Sequence, residues 1–334
     1  MSSCKPKIKY LLYLFCYYII KKENSLENIN NVPHIPVLLN EVVDIFKDIK
    51  DGKFIDCTLG YAGHSYHILK NNKNLFLYGI DRDDEALEFS KKRLEPFKDR
   101  VKLLKGSFSQ KIKEINFDNI SGVLADFGVS SLQLDKSDRG FRFDSDNLDM
   151  RMDKSNPISA KDIVNSYSIE QLTKIFRDYA EAKNAYKVAK EIVEYRKNRV
   201  ITSNIQLSDI IQKVTPKKGK IHPATTYFQA IRIEVNEELD EINKLLDTLE
   251  TKKPKSATIA LITFHSLEDR IVKQRFKKWA KKCICPPDIY KCVCSSNNHL
   301  GIEINKKPIT ASKDEIKKNP RSRSAKLRVF KFKD

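Results

Sequence analysis

The sequence is poor in chain breakers, with 10 glycines and 12 prolines in 334 residues, and it holds a single tryptophan. That scarcity excludes collagen-like repeats and low-complexity linkers, and the 40 % of apolar residues excludes an intrinsically disordered chain. No internal repeat of solenoid length is present. Long apolar runs are missing as well. Tyr10 to Ile20 is an eleven-residue apolar run flanked by Lys5, Lys7, Lys9, Lys21 and Lys22, too short to span a bilayer. Stable membrane insertion is therefore not expected. The charge-then-apolar order is that of a signal or organellar leader without a small-residue cleavage site. An upstream extension of the gene or a short surface helix fits equally well. Seven cysteines, four of them gathered as Cys283, Cys285, Cys292 and Cys294, do not form a secreted disulfide framework in a chain this long. A cytoplasmic setting is expected, or an organellar one if residues 1–31 are a leader.

Acids are in short supply: 44 Asp and Glu face 62 Lys and Arg, a net charge of +18. From Ile271 to Asp334 there are eighteen basic residues against five acids, so thirteen of the excess charges sit in the last fifth of the chain. A basic face so polarised suits a polyanion such as RNA. The alternative is a solvated surface from a lysine-rich, AT-biased genome.

Lys53 to Thr58 is a short apolar run that breaks into Leu59-Gly60-Tyr61-Ala62-Gly63, and Ser65 to Lys70 is helical in pattern. Leu75 to Ile80 is a second, buried strand, Val101 to Leu104 and Val123 to Asp126 supply a third and a fourth, and a helix follows Asp83 or Asp84. Strand and helix alternating at this spacing predict a parallel sheet covered on both faces. After Gln133 the pattern changes. Helical periods at Ile169 to Tyr179, Ala182 to Arg196 and Leu207 to Val214 predict a helical insertion over residues 135–221. One long amphipathic helix, Thr225 to Leu249, then leads back to the strand Thr258 to Thr263, the helix Leu267 to Lys281 and a last strand Lys326 to Phe332. The expected domains are an extension (1–31), a first sheet segment (32–134), the all-α insertion (135–221), and a second sheet segment (222–334) carrying the Cys-rich loop and basic C-terminus.

The glycine loop lies where such a sheet opens its ligand crevice, and Asp81 follows at the end of the next strand, about twenty residues on. There an acid accepts from both hydroxyls of a ribose, or else caps the following helix. The loop lacks the Gly-x-Gly-x-x-Gly pattern, and no Walker lysine follows it. A cofactor without phosphates needs neither, which favours S-adenosylmethionine over NAD or ATP. Phe108 either stacks on an adenine or is an ordinary core aromatic. The two Cys-x-Cys pairs in a basic loop are candidate ligands of a structural zinc, or else reduced surface thiols.

Asp126-Phe127-Gly128-Val129-Ser130-Ser131-Leu132-Gln133 is unusual, and Arg139-Gly140-Phe141-Arg142-Phe143 and Leu148-Asp149-Met150-Arg151-Met152-Asp153 follow it. Together with His34 to Glu41, His222-Pro223-Ala224-Thr225, Phe264-His265-Ser266-Leu267-Glu268-Asp269-Arg270 and Asn319-Pro320-Arg321-Ser322-Arg323-Ser324, these segments closely resemble the MraW/RsmH family of 16S ribosomal RNA (cytosine-N4)-methyltransferases. The resemblance runs from about His34 to Phe332. It implies an α/β fold, a Rossmann-like S-adenosylmethionine-dependent methyltransferase sheet with an inserted all-α domain. It also implies methylation of a decoding-region cytidine, with small-subunit ribosomal RNA or the assembled subunit as partner. Onto this chain it carries cofactor contacts at Ala62, Gly63, His64, Asp81, Phe108, Asp126 and Gln133. Leu132 and Asn147 stand where the family has proline, and Thr226 where it commonly has arginine.

A cytosine amine is a poor nucleophile, so its site needs a proton acceptor beside the methyl donor. Asp126 is the leading candidate, whether it holds the cofactor, accepts from the amine or does both. Ser130, Ser131, Asp149 and His265 are secondary candidates, and His265 has the alternative of a structural, hydrogen-bonded histidine. The rival readings are a DNA amino-methyltransferase, disfavoured by the missing Pro-Pro-aromatic turn after Asp126, and a catalytically idle RNA-binding assembly factor.

Overall fold

The computed structural model describes residues 35–334 apart from 131–132, 135–136, 216–221, 287 and 289–290. The expected N-terminal extension and Ser131 therefore lie outside the described residues. Seven described strands form one sheet: β1 (Gly52–Asp56), β2 (Leu75–Asp81), β3 (Val101–Lys105), β4 (Ile120–Asp126), β5 (Thr258–Thr263), β6 (Gly301–Glu303) and β7 (Lys326–Phe332). Their order is β3-β2-β1-β4-β5-β7-β6. The first five run parallel, and β7 lies antiparallel to both β5 and β6.

The apolar strands dictate this layering. β5, Thr-Ile-Ala-Leu-Ile-Thr, is buried from Ile259 onward, as a strand covered on both faces must be. Successive side chains point to opposite faces. Thus Ile55, Val123, Ala125, Ile259 and Leu261 share one core, whereas Phe54, Leu124, Ala260 and Ile262 share the other. Four helices accompany the first half of the sheet: α1 (Leu39–Phe46), α2 (Gly63–Asn71), α3 (Asp84–Arg93) and the short α4 (Phe108–Lys111). Val42, Phe46, Ile68 and Leu69 of α1 and α2 complete the second core.

Between β4 and β5 come α5 (Ala160–Ser166), α6 (Ile169–Asp178), α7 (Ala185–Asn198), α8 (Asn204–Val214), α9 (Thr225–Asn236) and α10 (Glu238–Lys252). Helices α5 to α9 close a third core of their own, running from Leu148 to Val235. Ser159 and Ser168 start α5 and α6 with capping boxes, each accepting from the backbone N–H three residues on. After β5 come α11 (Ser266–Trp279) and α12 (Lys313–Lys318). The inward faces of α10 and α11, among them Ile242, Leu246, Val272 and Trp279, cover the first face of the sheet.

The single helix expected over Thr225 to Leu249 is two helices. Glu237 takes φ 51° and breaks the rod, and Asn236 anchors the break by donating to the Met150 carbonyl at 2.8 Å and accepting from the Met152 N–H at 2.8 Å. Tyr227, Phe228 and Ile231 face the helical core while Ile242, Leu245 and Leu249 face the sheet. The apolar period runs unbroken through two different cores, so it hides the turn. Five of these elements had no counterpart in the sequence reading: α1, α4, α5, α12 and the edge strand β6.

The chain steps outward from β1 to β2 and β3, then returns to place β4 on the other side of β1. A crevice opens beyond the carboxyl ends of neighbouring strands at such a reversal, and there ligands of doubly wound sheets bind.

Candidate active site

Three aspartates end three adjacent strands at this crevice: Asp56 on β1, Asp81 on β2 and Asp126 on β4. The loop after β1 is held in place around them. Cys57 N–H donates to the Leu124 carbonyl at 2.8 Å, and Leu59 N–H to the Ile80 carbonyl at 2.9 Å. Gly60 takes φ 51°, and a side chain there would meet only the Thr58 carbonyl, at 4.0 Å, so that face of the loop is open. Ala62 is also left-handed at φ 55° and caps α2. Gly63 has no room for a methyl group, because a Cβ would lie 2.3 Å from Pro36 Cγ. His64 is buried, with Nε2 2.9 Å from the Val37 carbonyl. Ala62, Gly63 and His64 thus shape the loop with backbone and packing.

Asp81 accepts from the Gly60 N–H at 2.7 Å and from the Asp83 N–H at 2.9 Å, one bond to each carboxylate oxygen. Each oxygen keeps a second lone pair. Burial pushes its pKa up, against both bonds. Asp56, absent from the sequence reading, accepts from Ser65 Oγ at 2.6 Å and the Thr58 N–H at 3.2 Å, and burial pushes its pKa to about 6.

Asp126 differs from both. Its Oδ1 is buried and has no hydrogen-bond partner among the described residues. Burial raises its pKa well above the usual carboxylate range, and the neighbouring acids Asp56 and Glu268 add to the rise. Glu268 is 1 % exposed in the first turn of α11. Its Oε2 accepts from the Phe264 N–H at 2.7 Å and the His265 N–H at 3.2 Å. Oε1 lies 3.1 Å from His265 Nε2, ion-pair distance for a protonated ring but without hydrogen-bond alignment. Burial alone would push Glu268 up, yet His265, the Phe264 N–H and Arg232 hold it below its ordinary value. One carboxylate oxygen of Glu238 lies within 4.8 Å of the His265 and Glu268 atoms. Glu238 is engaged in a two-pronged pair with Arg232, at 2.7 and 2.8 Å.

Gln133 and Arg139 converge on Asp83 rather than on Asp81. Gln133 Nε2 donates to Asp83 Oδ2 at 3.1 Å and Arg139 Nη1 at 2.9 Å, while Asp83 Oδ1 caps α3 by accepting from the Glu85 N–H. Gln133 Oε1 in turn accepts from the Ser130 N–H at 3.0 Å, and Ser130 Oγ accepts from the Gln133 N–H at 3.3 Å. Ser130 therefore serves a local turn. Arg139, 2 % exposed, also donates to the Arg151 and Met152 carbonyls, so it faces inward and is no grip for a phosphate. Asp149 is clamped on both oxygens by Arg151; despite burial, that guanidinium holds its carboxyl below the usual range. Phe108 is nearly buried and packs on Phe127 with ring centroids 5.8 Å apart. Glu241 of α10 accepts from Ser107 Oγ, Ser109 Oγ and Arg82 Nη2, tying α10 to the segments that follow β2 and β3.

Asp56, Asp83, Arg232, Glu238, Glu241 and Glu268 were missed as candidates. Glu268 and Arg139 sit inside segments already singled out, and Asp83 inside Asp81-Arg82-Asp83-Asp84. Nothing in the spacing of Arg232, Glu238 or Glu241 points to a site, because only the break at Glu237 turns them toward it.

The family model of the MraW methylase family matches residues 31–333 of this chain. Among curated proteins, the ribosomal RNA small subunit methyltransferase H of Nitratiruptor sp. is 56 % identical over 305 residues, covering 91 % of this chain and 100 % of that protein. The proteins of that name from Sulfurovum sp. and Campylobacter concisus are each 56 % identical, over 90 % of this chain and 98 and 99 % of their own length.

Proposed function

The chain belongs to the MraW methylase family, and from that premise we propose that it transfers a methyl group from S-adenosylmethionine to the N4 amine of a cytidine in small-subunit ribosomal RNA. The observation that carries this reading is Asp126, a half-buried residue at the crevice with one buried carboxyl oxygen that no described residue engages. A carboxyl so placed suits a cationic cofactor and a nitrogen that must shed protons. The cofactor supplies an activated methyl on a positively charged sulfur. A positive charge placed among Asp56, Asp81 and Asp126 lowers their raised pKa values, so the ionised form of Asp126 is favoured when the site is loaded.

In this reading the left-handed turns at Gly60 and Ala62 present backbone to the cofactor. Asp81, already fixed by two N–H donors, accepts from the ribose hydroxyls with its spare lone pairs. Phe108 borders the adenine. Asp126 then accepts from the cytidine amine as its nitrogen becomes tetrahedral. Glu268 and His265, with the Glu238–Arg232 pair beside them, hold the charge balance. Gln133 is a positioning residue that fixes the Ser130 turn against Asp83. The target base must leave its stack to reach this depth.

Radiolabelled methyl transfer tests the proposal on small subunits, naked small-subunit RNA and duplex DNA. Incorporation into the RNA or the subunits, but not into DNA, is expected. Transfer only to DNA would support the amino-methyltransferase of DNA, and cofactor binding without transfer to any substrate would support an assembly factor.

A further inference from the structure

The loop between α11 and β6 is closed at its base and empty of core. Leu300 N–H donates to the Trp279 carbonyl at 2.7 Å, and Asn298 N–H to the Lys282 carbonyl at 3.0 Å. Between these anchors no described residue is buried, and Ile284 and Val293 stand 62 and 78 % exposed. Ordering a chain segment costs on the order of 1 kcal/mol per residue, and here no apolar burial offsets it.

What the loop does gather is sulfur. Cys292 Sγ lies 3.6 Å from Cys283 Sγ, 3.9 Å from Cys285 Sγ and 3.5 Å from Cys294 Sγ, and Cys283 and Cys294 are 3.7 Å apart. The four sulfurs all fall within 4.8 Å of one another. These separations are far longer than a disulfide bond of about 2.05 Å. They match the edge of a tetrahedron built on metal–sulfur bonds of about 2.3 Å, which is about 3.8 Å. We propose that Cys283, Cys285, Cys292 and Cys294 bind one structural zinc ion that clips this loop.

The surroundings suit four thiolates. The Ile284 N–H donates to Cys294 Sγ at 3.4 Å and the Ser296 hydroxyl lies 2.9 Å from Cys292 Sγ, donors of the kind that orient metal-bound sulfur. Ser295 and Ser296 both take positive φ, 57 and 52°, which turns the chain back after the second Cys-x-Cys pair. Lys281, Lys282 and Lys291 in the same loop offset the two negative charges left on a zinc with four thiolates. Two Cys-x-Cys pairs replace the usual Cys-x-x-Cys knuckles. The ion closes a loop that ends directly in β6, so it also holds the edge of the sheet.

The test is metal analysis of full-length protein purified without chelator, with titration of free thiols. One zinc per chain is expected, with the four loop thiols protected until a strong chelator removes the metal. Cobalt added to the stripped protein should give sulfur-to-metal charge-transfer bands and intense tetrahedral visible absorption. Cys292→Ser should lose the metal and Cys292→His should keep it, since histidine is also a zinc ligand. Should Cys292→Ser fail to fold, the histidine variant and the wild-type metal content still decide. Metal-free protein with four freely titrating thiols, a pair of disulfides, or iron in place of zinc overturns the proposal. None of these readouts depends on methyl transfer.

Discussion

At the scale of single residues the site is a set of acids at the strand ends, Asp56 buried and Asp81 and Asp126 half-buried. Asp81 is the clearest case for a cofactor role, because its two backbone bonds pin the carboxylate without exhausting it. Asp81→Ala removes a charge-assisted acceptor and should weaken S-adenosylmethionine binding by about 1.5–3 kcal/mol, roughly ten- to a hundredfold in Kd. Calorimetry on the folded variant checks this, and an unchanged affinity removes Asp81 from the ribose. Asp81→Asn, which keeps an acceptor for the Gly60 N–H, should fall between.

Asp56 is one of three site acids whose raised pKa makes stability depend on pH. Its folded pKa of about 6 stands above the ordinary value of 3.8, so the folded state holds its proton more tightly than the unfolded state. The stability that this proton provides is full below about pH 4 and is lost as pH rises through about 6, leaving a penalty of about 3 kcal/mol at neutral pH. Asp56→Asn keeps an acceptor and sheds the charge. In cofactor-free protein it should raise the urea midpoint at pH 8 and bring little gain at pH 4. An equal gain at both values would mean that the buried charge is not the cause.

At the scale of elements, what the sequence made legible and what it hid have physical reasons. Strands β4 and β5 were readable because a strand buried on both faces is a nearly uninterrupted apolar run, and β3, at one edge with no buried residue, was readable from its Val and Leu alone. β6 was not, since Gly301-Ile302-Glu303 is an edge strand with Ile302 exposed. The α9–α10 break was hidden because residues on either side of Glu237 obey one period while facing different cores. A left-handed Glu costs about 1 kcal/mol relative to glycine at a helix end. Glu237→Gly should therefore leave the fold intact and raise stability by up to about 1 kcal/mol in chemical denaturation. A loss of stability there would show that the Glu237 side chain matters more than its backbone.

The segment from Gln133 to Met152 was legible as a motif and not as a structure. Its polar residues suggest a solvated loop, yet Arg139 and Gln133 are stapled to Asp83. Asn147 donates to the Asp138 carbonyl at 2.6 Å and so restrains the same turn with a side chain. No spacing rule connects residues 83, 133 and 139, because their meeting is a product of the sheet order.

At the scale of the whole molecule the basic C-terminal fifth is not a free tail. Much of it is built into the sheet, with Arg328 buried against Asp269 and Lys326 3.4 Å from the same acid. Because β7 runs against β5, its first residue pairs with Thr263 at the carboxyl, crevice-side end of β5. Arg323, exposed just before β7, therefore stands on the crevice side, and the exposed Lys333 lies just past the other end of β7. Arg323→Ser should lower the log–log salt slope of RNA binding by about 0.7, one phosphate contact, and Lys333→Ser should not. Equal effects would mean that the charge acts as a diffuse field without a track toward the site.

The central claim is that this crevice methylates the exocyclic amine of a cytidine, with Asp126 beside the reacting nitrogen. The most direct measurement is mass-spectrometric mapping of small-subunit RNA after incubation with S-adenosylmethionine and either the wild-type chain or Asp126→Asn. The account predicts N4-methylcytidine at a single site with the wild type, and at least a tenfold slower appearance with Asp126→Asn under saturating cofactor, since a general acid–base contribution is typically about a hundredfold or more. Methyl groups found on a ring carbon or a ribose oxygen, or an undiminished rate in the variant, would contradict it.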